Sequence, residues 1–336
     1  MTDTEHLRVV IVGAGRMGQG IALAFLAAGR DVTLADVKET DEDRAPYRKA
    51  AERKVLDRLA ARNGQPAHGS GRTPRLTVCG RAAAAAPLAG ADVVFEAVPE
   101  VLEIKRSVLS WVDAAVAGTA VIASTTSTFL VTDLAELVGD GSRVVNAHWL
   151  NPADLMPLVE ISRSARTDPG QVARLTALLR HIGKVPVVCG PTAGYIVPRL
   201  QALVMNEAAR MVEEGVASAA DIDQAVRAGL GPRFSVLGPL EFIDWGGGDI
   251  LYYASRYLTA ELGDRFRAPA VVEENMTAGR RGLRDGTGFY HYAPGDVPAY
   301  QAGRIREFEE LLRLRAPGLR AAAAFPERPA PPPEQD

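Results

Sequence analysis

The stretch Leu7-Arg8-Val9-Val10-Ile11-Val12-Gly13-Ala14-Gly15-Arg16-Met17-Gly18 decides how the rest of the chain is read. Its first half is a short apolar run, as expected of a strand buried on both faces. Its second half is a glycine-spaced turn, G-x-G-x-x-G, opening a helix expected over residues 16–28 and closed by Gly29. In that context Gly13 permits a tight turn, Gly15 lets a pyrophosphate approach the backbone, and Gly18 lets helix and strand pack closely. The free N–H groups and positive dipole end at the helix start suit phosphate. A second strand, 31–35, ends at Asp36, where a carboxylate can bind adenosine ribose hydroxyls and repel a 2′-phosphate. NAD is therefore favoured over NADP. FAD uses the same fingerprint and is the rival; a glycine-rich turn beside a surface aspartate is the bland alternative.

Outward from this unit, a long polar helix over 41–63 leads to a Gly/Pro/Ser-rich loop, 64–74. Short strands then recur at 75–79, 91–97, 120–124 and 143–147, with helical stretches between most of them. That alternation predicts a parallel sheet covered on both faces, a doubly wound α/β arrangement of Rossmann type. A further strand pair, 158–162 and 185–188, flanks a helix over 169–181. After Gly190 strand-like alternation disappears, and amphipathic runs punctuated by glycine follow at 198–214, 219–229, 239–262 and 269–279. The expected organisation is a nucleotide-binding domain over 1–190, a helical domain over 191–318, and a Pro-rich, disordered tail over 319–336.

Two domains suit a chain of 336 residues, and a hydrophobic content of 47% can fill their cores. A formal net charge of -3 leaves no basic footprint for nucleic acid or an anionic membrane surface. Cys79 and Cys189 stand far apart in no metal-like spacing and read as two reduced thiols, with one disulfide as the alternative. No metal site is expected. Residues 1–8 lack the apolar core of a signal peptide, and no apolar run approaches the ~18 residues of a membrane span. A soluble, cytoplasmic protein is expected.

One of the five histidines stands out. His148 ends an apolar strand in Val144-Val145-Asn146-Ala147-His148-Trp149-Leu150-Asn151-Pro152, and the C-terminal edge of a parallel strand is where open α/β sheets meet ligands. Glu160 lies on the next strand, flanked by apolar residues that make its burial costly unless it is partnered. A His–Glu pair suits alcohol oxidation, which needs a base near neutral pH and a carboxylate to hold the imidazole tautomer. On residues alone, a structural histidine remains the competing reading.

The glycine turn and Asp36, then Glu96-Ala97-Val98-Pro99-Glu100 with Lys105, Ser124-Thr125-Thr126-Ser127, His148 through Pro152 and Val159-Glu160 form an ordered series. It continues through Gly194-Tyr195-Ile196-Val197 and Arg199 to Gly286-Thr287-Gly288-Phe289-Tyr290. In this order the motifs resemble those of the 3-hydroxyacyl-CoA dehydrogenases, over about residues 7 to 292. The resemblance implies a homodimer formed through the helical domain, and NAD-dependent oxidation of an L-3-hydroxyacyl-CoA to the 3-oxo compound, or the reverse, within fatty acid metabolism. It implies His148 as base, Glu160 as its orienting partner and Ser127 as a donor to the substrate oxygen. The NAD site it implies comprises Gly13, Gly15, Arg16, Met17, Gly18, Asp36, Ala97, Glu100, Lys105, Asn151 and, weakly, Arg284, where the family carries a lysine. Singly, Glu100 and Lys105 read equally as helix-face charges, Ser127 as a helix cap and Asn151 as a turn residue.

Pro198 stands where the family pattern has an asparagine expected to contact the substrate oxygen. The segments Gly229-Leu230-Gly231-Pro232-Arg233-Phe234 and Gly238-Pro239-Leu240-Glu241 look more like the branch of L-gulonate 3-dehydrogenase (lambda-crystallin) and carnitine dehydrogenase. There an arginine such as Arg233 could pair with a substrate carboxylate, or serve a surface or interface salt bridge instead. A free or carrier-bound 3-hydroxy acid is therefore the alternative substrate, and a catalytically silent structural relative the third reading.

Overall fold

Eight strands form one sheet in the order β3-β2-β1-β4-β5-β6-β7-β8. They are β1 Val9–Val12, β2 Val32–Asp36, β3 Leu76–Gly80, β4 Val93–Glu96, β5 Val121–Ser124, β6 Val144–Trp149, β7 Leu158–Ser162 and β8 Val185–Cys189. The computed structural model describes residues 6–38, 44–62 and 73–319. The expected loop as far as residue 72, the first residues of the expected 41–63 helix and the tail beyond Leu319 lie outside that set.

All neighbouring strands are parallel except β6 and β7, which pair antiparallel. The parallel sheet expected from alternation is interrupted there because β6 and β7 are joined by a short segment without a crossover helix. The strands inside the sheet are buried on both sides, while the edge strands β3 and β8 are partly exposed, and alternate residues supply two cores. Ile11, Phe95 and Trp149 face the helices Arg16–Ala27 and Pro169–His181, with Phe25 wedged between Phe95 and Trp149 at ring-centroid distances of 5.7 and 6.4 Å. Val10, Val12, Val94 and Ile122 face the helix Leu102–Ala115 through Val108, Leu109 and Val112. Strand order reverses where β1 lies between β2 and β4, so the chain leaves the C-terminal ends of β1 and β4 in opposite directions. That divergence opens the crevice in which such sheets bind ligands.

The chain divides into two compact units, Met1–Leu203 and Val204–Asp336, with the division inside the helix Val197–Glu213. In the second unit the helical run expected over 239–262 is two helices, Pro239–Gly246 and Gly248–Leu262. They are separated by Gly247 at φ +102°, a backbone that L side chains rarely adopt. The terminal helix Val297–Leu319 lies at the end of the expected helical domain, beyond the four amphipathic runs; it is charge-rich, with Arg304 paired to Glu307 at 2.9 Å along one face. The Gly286-Thr287-Gly288-Phe289-Tyr290 motif has a structural explanation. Buried Asp244 accepts the N–H groups of Phe289 and Tyr290, each at 2.9 Å, and a Cβ on Gly288 would lie 2.1 Å from its carboxylate. No described helix is long and apolar enough to cross a membrane.

Candidate active site

The three glycines after β1 are present for different reasons. Gly13 has φ +117°, and a Cβ there would sit 2.5 Å from the Ala97 carbonyl oxygen at the end of β4. A Cβ on Gly18 would sit 1.9 Å from the Gly13 carbonyl oxygen, so any side chain would push the helix Arg16–Ala27 off the turn. A Cβ on Gly15 would meet nothing within 4 Å. Gly15 is the N-cap of that helix, with no side-chain cap and no acidic residue in the first turn. The helix start is therefore uncapped beside open space at Gly15, an arrangement that suits a pyrophosphate. Ala14 is held beneath by Tyr47 Oη at 3.0 Å and Gln19 Nε2 at 2.8 Å, both donating to its carbonyl.

Asp36, 4% exposed, closes β2. Arg44 binds it bidentately, Nε to Oδ2 at 2.6 Å and Nη2 to Oδ1 at 2.9 Å, and lies 4.2 Å over the Tyr47 ring. Sequence reasoning missed Arg44 and Tyr47, which no motif marks. The open space over Gly15, the uncapped helix start and the Asp36 carboxylate fit the pyrophosphate and adenosine ribose of NAD.

A charged network lies beside the cradle. Glu96 and Lys105 are fully buried and paired at 3.0 and 3.1 Å; Ser124 Oγ and the Val98 N–H also donate to Glu96, at 2.5 and 2.8 Å. Lys105 also lies 3.3 Å from Glu100. Glu100 accepts the Thr126 hydroxyl, the Ser127 and Thr128 N–H groups at 2.9 Å and the Thr128 hydroxyl at 2.8 Å. Burial pushes the Glu100 carboxyl up, but the bonds from Thr126 and Thr128 and the charge of Lys105 outweigh it and hold the pKa at about 2. Glu100 and Lys105 thus come together, with Glu96 the partner the sequence did not single out. Ser127 is exposed, and its hydroxyl stands outside this network.

The antiparallel register of β6 and β7 sets His148 opposite Glu160. His148 Nδ1 lies 2.9 Å from Glu160 Oε2, while Glu160 Oε1 accepts the Ile196 and Val197 N–H groups at 2.9 Å. Burial raises the Glu160 pKa, but the imidazole and the two N–H donors bring it below the ordinary carboxylate range. Of the two neutral tautomers, the one with its ring proton on Nδ1 suits an ionised Glu160 and leaves a lone pair on Nε2. Asn151 follows β6 at an exposed position. Pro198 occupies the first turn of the helix Val197–Glu213, where a missing N–H costs little, and it offers no amide.

Residues 8–192 match the family model described as 3-hydroxyacyl-CoA dehydrogenase, NAD binding domain, and residues 194–292 match that of the C-terminal domain. The chain belongs to the 3-hydroxyacyl-CoA dehydrogenase family. It is an NAD-dependent oxidoreductase of 3-hydroxyacyl-CoA dehydrogenase type. Among similar proteins, the 5-formyl-3-hydroxy-2-methylpyridine 4-carboxylate 5-dehydrogenase of Mesorhizobium japonicum is 32% identical over 91% of this chain and 97% of its own. A probable 3-hydroxyacyl-CoA dehydrogenase of Caenorhabditis elegans is 33% identical over 84% of this chain and 95% of its own. The 3-hydroxyacyl-CoA dehydrogenase of Archaeoglobus fulgidus, a solved structure, is 35% identical with a TM-score of 0.75, covering 93% of this chain and 99% of that one.

Two residues carried over from the dehydrogenase family lie in the second unit. Arg284 forms a close ion pair with Asp249, and Arg233 lies over the Phe242 ring, 5.4 Å from its centroid. Among the described residues no cluster of three or more His, Cys, Asp or Glu could hold a metal ion, and no disulfide joins Cys79 and Cys189.

Proposed function

We propose that the protein oxidises the 3-hydroxyl of an L-3-hydroxyacyl-CoA, such as 3-hydroxybutyryl-CoA, or runs the reverse reduction, with His148 as the base. The observation that carries this reading is the buried His148–Glu160 pair at the C-terminal end of β6, its Nδ1 occupied and its Nε2 available. Bound NAD supplies the hydride acceptor. His148 Nε2 takes the hydroxyl proton, and Glu160 stabilises the imidazolium that results while itself staying ionised through its two backbone donors. Ser127, exposed with its hydroxyl outside the Glu100 network, donates to the substrate oxygen. Gly13, Gly15, Arg16, Met17, Gly18 and Asp36 hold the adenosine and pyrophosphate; Ala97, Glu100, Lys105 and Asn151 line the nicotinamide half.

A second reading rests on Pro198. Without the asparagine amide, the site is one donor short for a thioester substrate, and a free or carrier-bound 3-hydroxy acid becomes the alternative, with Arg233 receiving its carboxylate. The Mesorhizobium relative, whose name is that of a pyridine carboxylate dehydrogenase, supports keeping it. The two separate in one assay, catalytic efficiency on 3-hydroxybutyryl-CoA against free L-3-hydroxybutyrate and L-gulonate. A preference for a free acid of about tenfold, about 1.4 kcal/mol in transition-state binding, that disappears in Arg233→Ala would transfer the assignment to the second reading.

We propose further that the protein works in the cytoplasm, in fatty acid metabolism, as a homodimer formed through the helical unit. The exposed apolar residues Ile250, Tyr253 and Tyr257 on the helix Gly248–Leu262 support such an interface.

A further inference from the structure

Tyr195 is the one residue other than glycine among those described that has a positive φ, +47°, and it follows Gly194 at φ +76°. A left-handed backbone at a bulky residue is strained and persists only where its surroundings over-determine it. Here they do. The side chain is buried, and its ring lies parallel to the His148 imidazole, with centroids 4.7 Å apart and planes at 11°. Its hydroxyl donates to the Thr126 carbonyl at 2.7 Å and accepts from Asn146 Nδ2 at 3.1 Å. The same turn delivers the Ile196 and Val197 N–H groups to Glu160.

One turn therefore holds both members of the pair, the carboxylate through its backbone and the imidazole through its ring. The bond from Nδ1 to Glu160 fixes one point of the imidazole but leaves the ring free to swing about that contact. A parallel ring packed on its face removes this freedom and sets the direction in which Nε2 points. Thr126 in turn bonds Glu100, so the tyrosine hydroxyl ties the orientation of the histidine to the charged network beside the cofactor cradle.

We propose that Tyr195 is a positioning residue for His148: its stacked ring, locked by the left-handed turn and the two hydroxyl contacts, aims Nε2 at the substrate hydroxyl. The inference rests on His148 being the base. The test compares Tyr195→Leu, which removes the stack, with Tyr195→Phe, which keeps it, in the full chain with NAD and 3-hydroxybutyryl-CoA. Misplacing a reacting group by about 1 Å costs ~10²-fold, so Tyr195→Leu should lower kcat by about that factor, with KM and NADH affinity within about threefold of wild type. Tyr195→Phe should stay within about fivefold of wild type in kcat. A folded Tyr195→Leu protein with near-normal kcat, or a Tyr195→Phe loss as large as that of leucine, overturns the proposal. Near-normal turnover in His148→Gln instead sinks the reading beneath it. If Tyr195→Leu does not fold, or the wild type does not turn over this thioester, the proton spectrum of the wild type decides. The carbon-bound imidazole protons of His148, assigned by their loss in His148→Gln, should be shifted upfield by the tyrosine ring; ordinary positions overturn the stack.

Discussion

Gly15→Ala and Gly18→Ala introduce the same methyl group three residues apart, and the structure separates their consequences. At Gly18 the new Cβ would lie 1.9 Å from the Gly13 carbonyl oxygen and 3.3 Å from Ile11 Cγ2, against the 3.0 Å below which real Cβ contacts essentially never fall. The helix Arg16–Ala27 would have to retreat by about an ångström, and it cannot do so freely. Ile21, Leu23 and Phe25 on that helix are fully buried against the sheet. Overpacking of this kind costs ~1–3 kcal/mol. At ~2–4 °C per kcal/mol for a domain of this size, Tm should fall by ~2–12 °C. At Gly15 the backbone, φ -76° and ψ -170°, is open to any residue, and the methyl group meets nothing within 4 Å. Stability should change by less than ~0.5 kcal/mol. That methyl group, however, occupies the space over the uncapped helix start, and NADH affinity should fall by ~10–100-fold, the cost of ~1.4–2.7 kcal/mol. Thermal melts without cofactor and fluorescence titration with NADH measure the two effects. A Gly15→Ala protein that binds NADH like the wild type refutes the cradle; a Gly18→Ala protein as stable as the wild type refutes the close approach of helix and turn.

Other outcomes follow from the same geometry. His148→Gln should lower turnover by ~10²–10⁴-fold with little change in NADH affinity, and Glu160→Gln should impair it too by removing the anion on Nδ1; steady-state rates beside a binding titration check both. Asp36→Ala should weaken NADH binding more than NADPH binding, because it removes the ribose acceptor and frees the bidentate Arg44; unequal losses in the opposite sense would displace Asp36 from the ribose site. Glu100 has a folded pKa of about 2 against an ordinary value of 4.5, so its contribution to stability is complete above about pH 4.5 and is lost as pH falls toward 2. Glu100→Gln should flatten that acid limb in melts run against pH, and an unchanged limb would remove Glu100 as its source.

Local features were legible along the chain because their causes are local. The apolar run of β1, the glycine spacing and Asp36 occupy one strand–turn–helix–strand segment, and the period of the apolar residues and the turn preferences act within a few positions. His148 and Glu160 could be named from their strands, but neither strand alone shows that the two side chains meet. Tertiary structure decided the rest through contacts distant in sequence. The antiparallel turnaround of β6 and β7 set His148 opposite Glu160, a register that no period within either strand encodes. Neighbouring strand ends distinguished the crowded Gly13 and Gly18 from the open Gly15, and the buried Lys105 joined Glu96 to Glu100. Arg44 and Tyr47 carry no motif, and the motif that holds Tyr195 does not reveal its stacking; each acquires its part from what lies across the fold from it, because a carboxylate held or a ring stacked is a property of two distant positions at once.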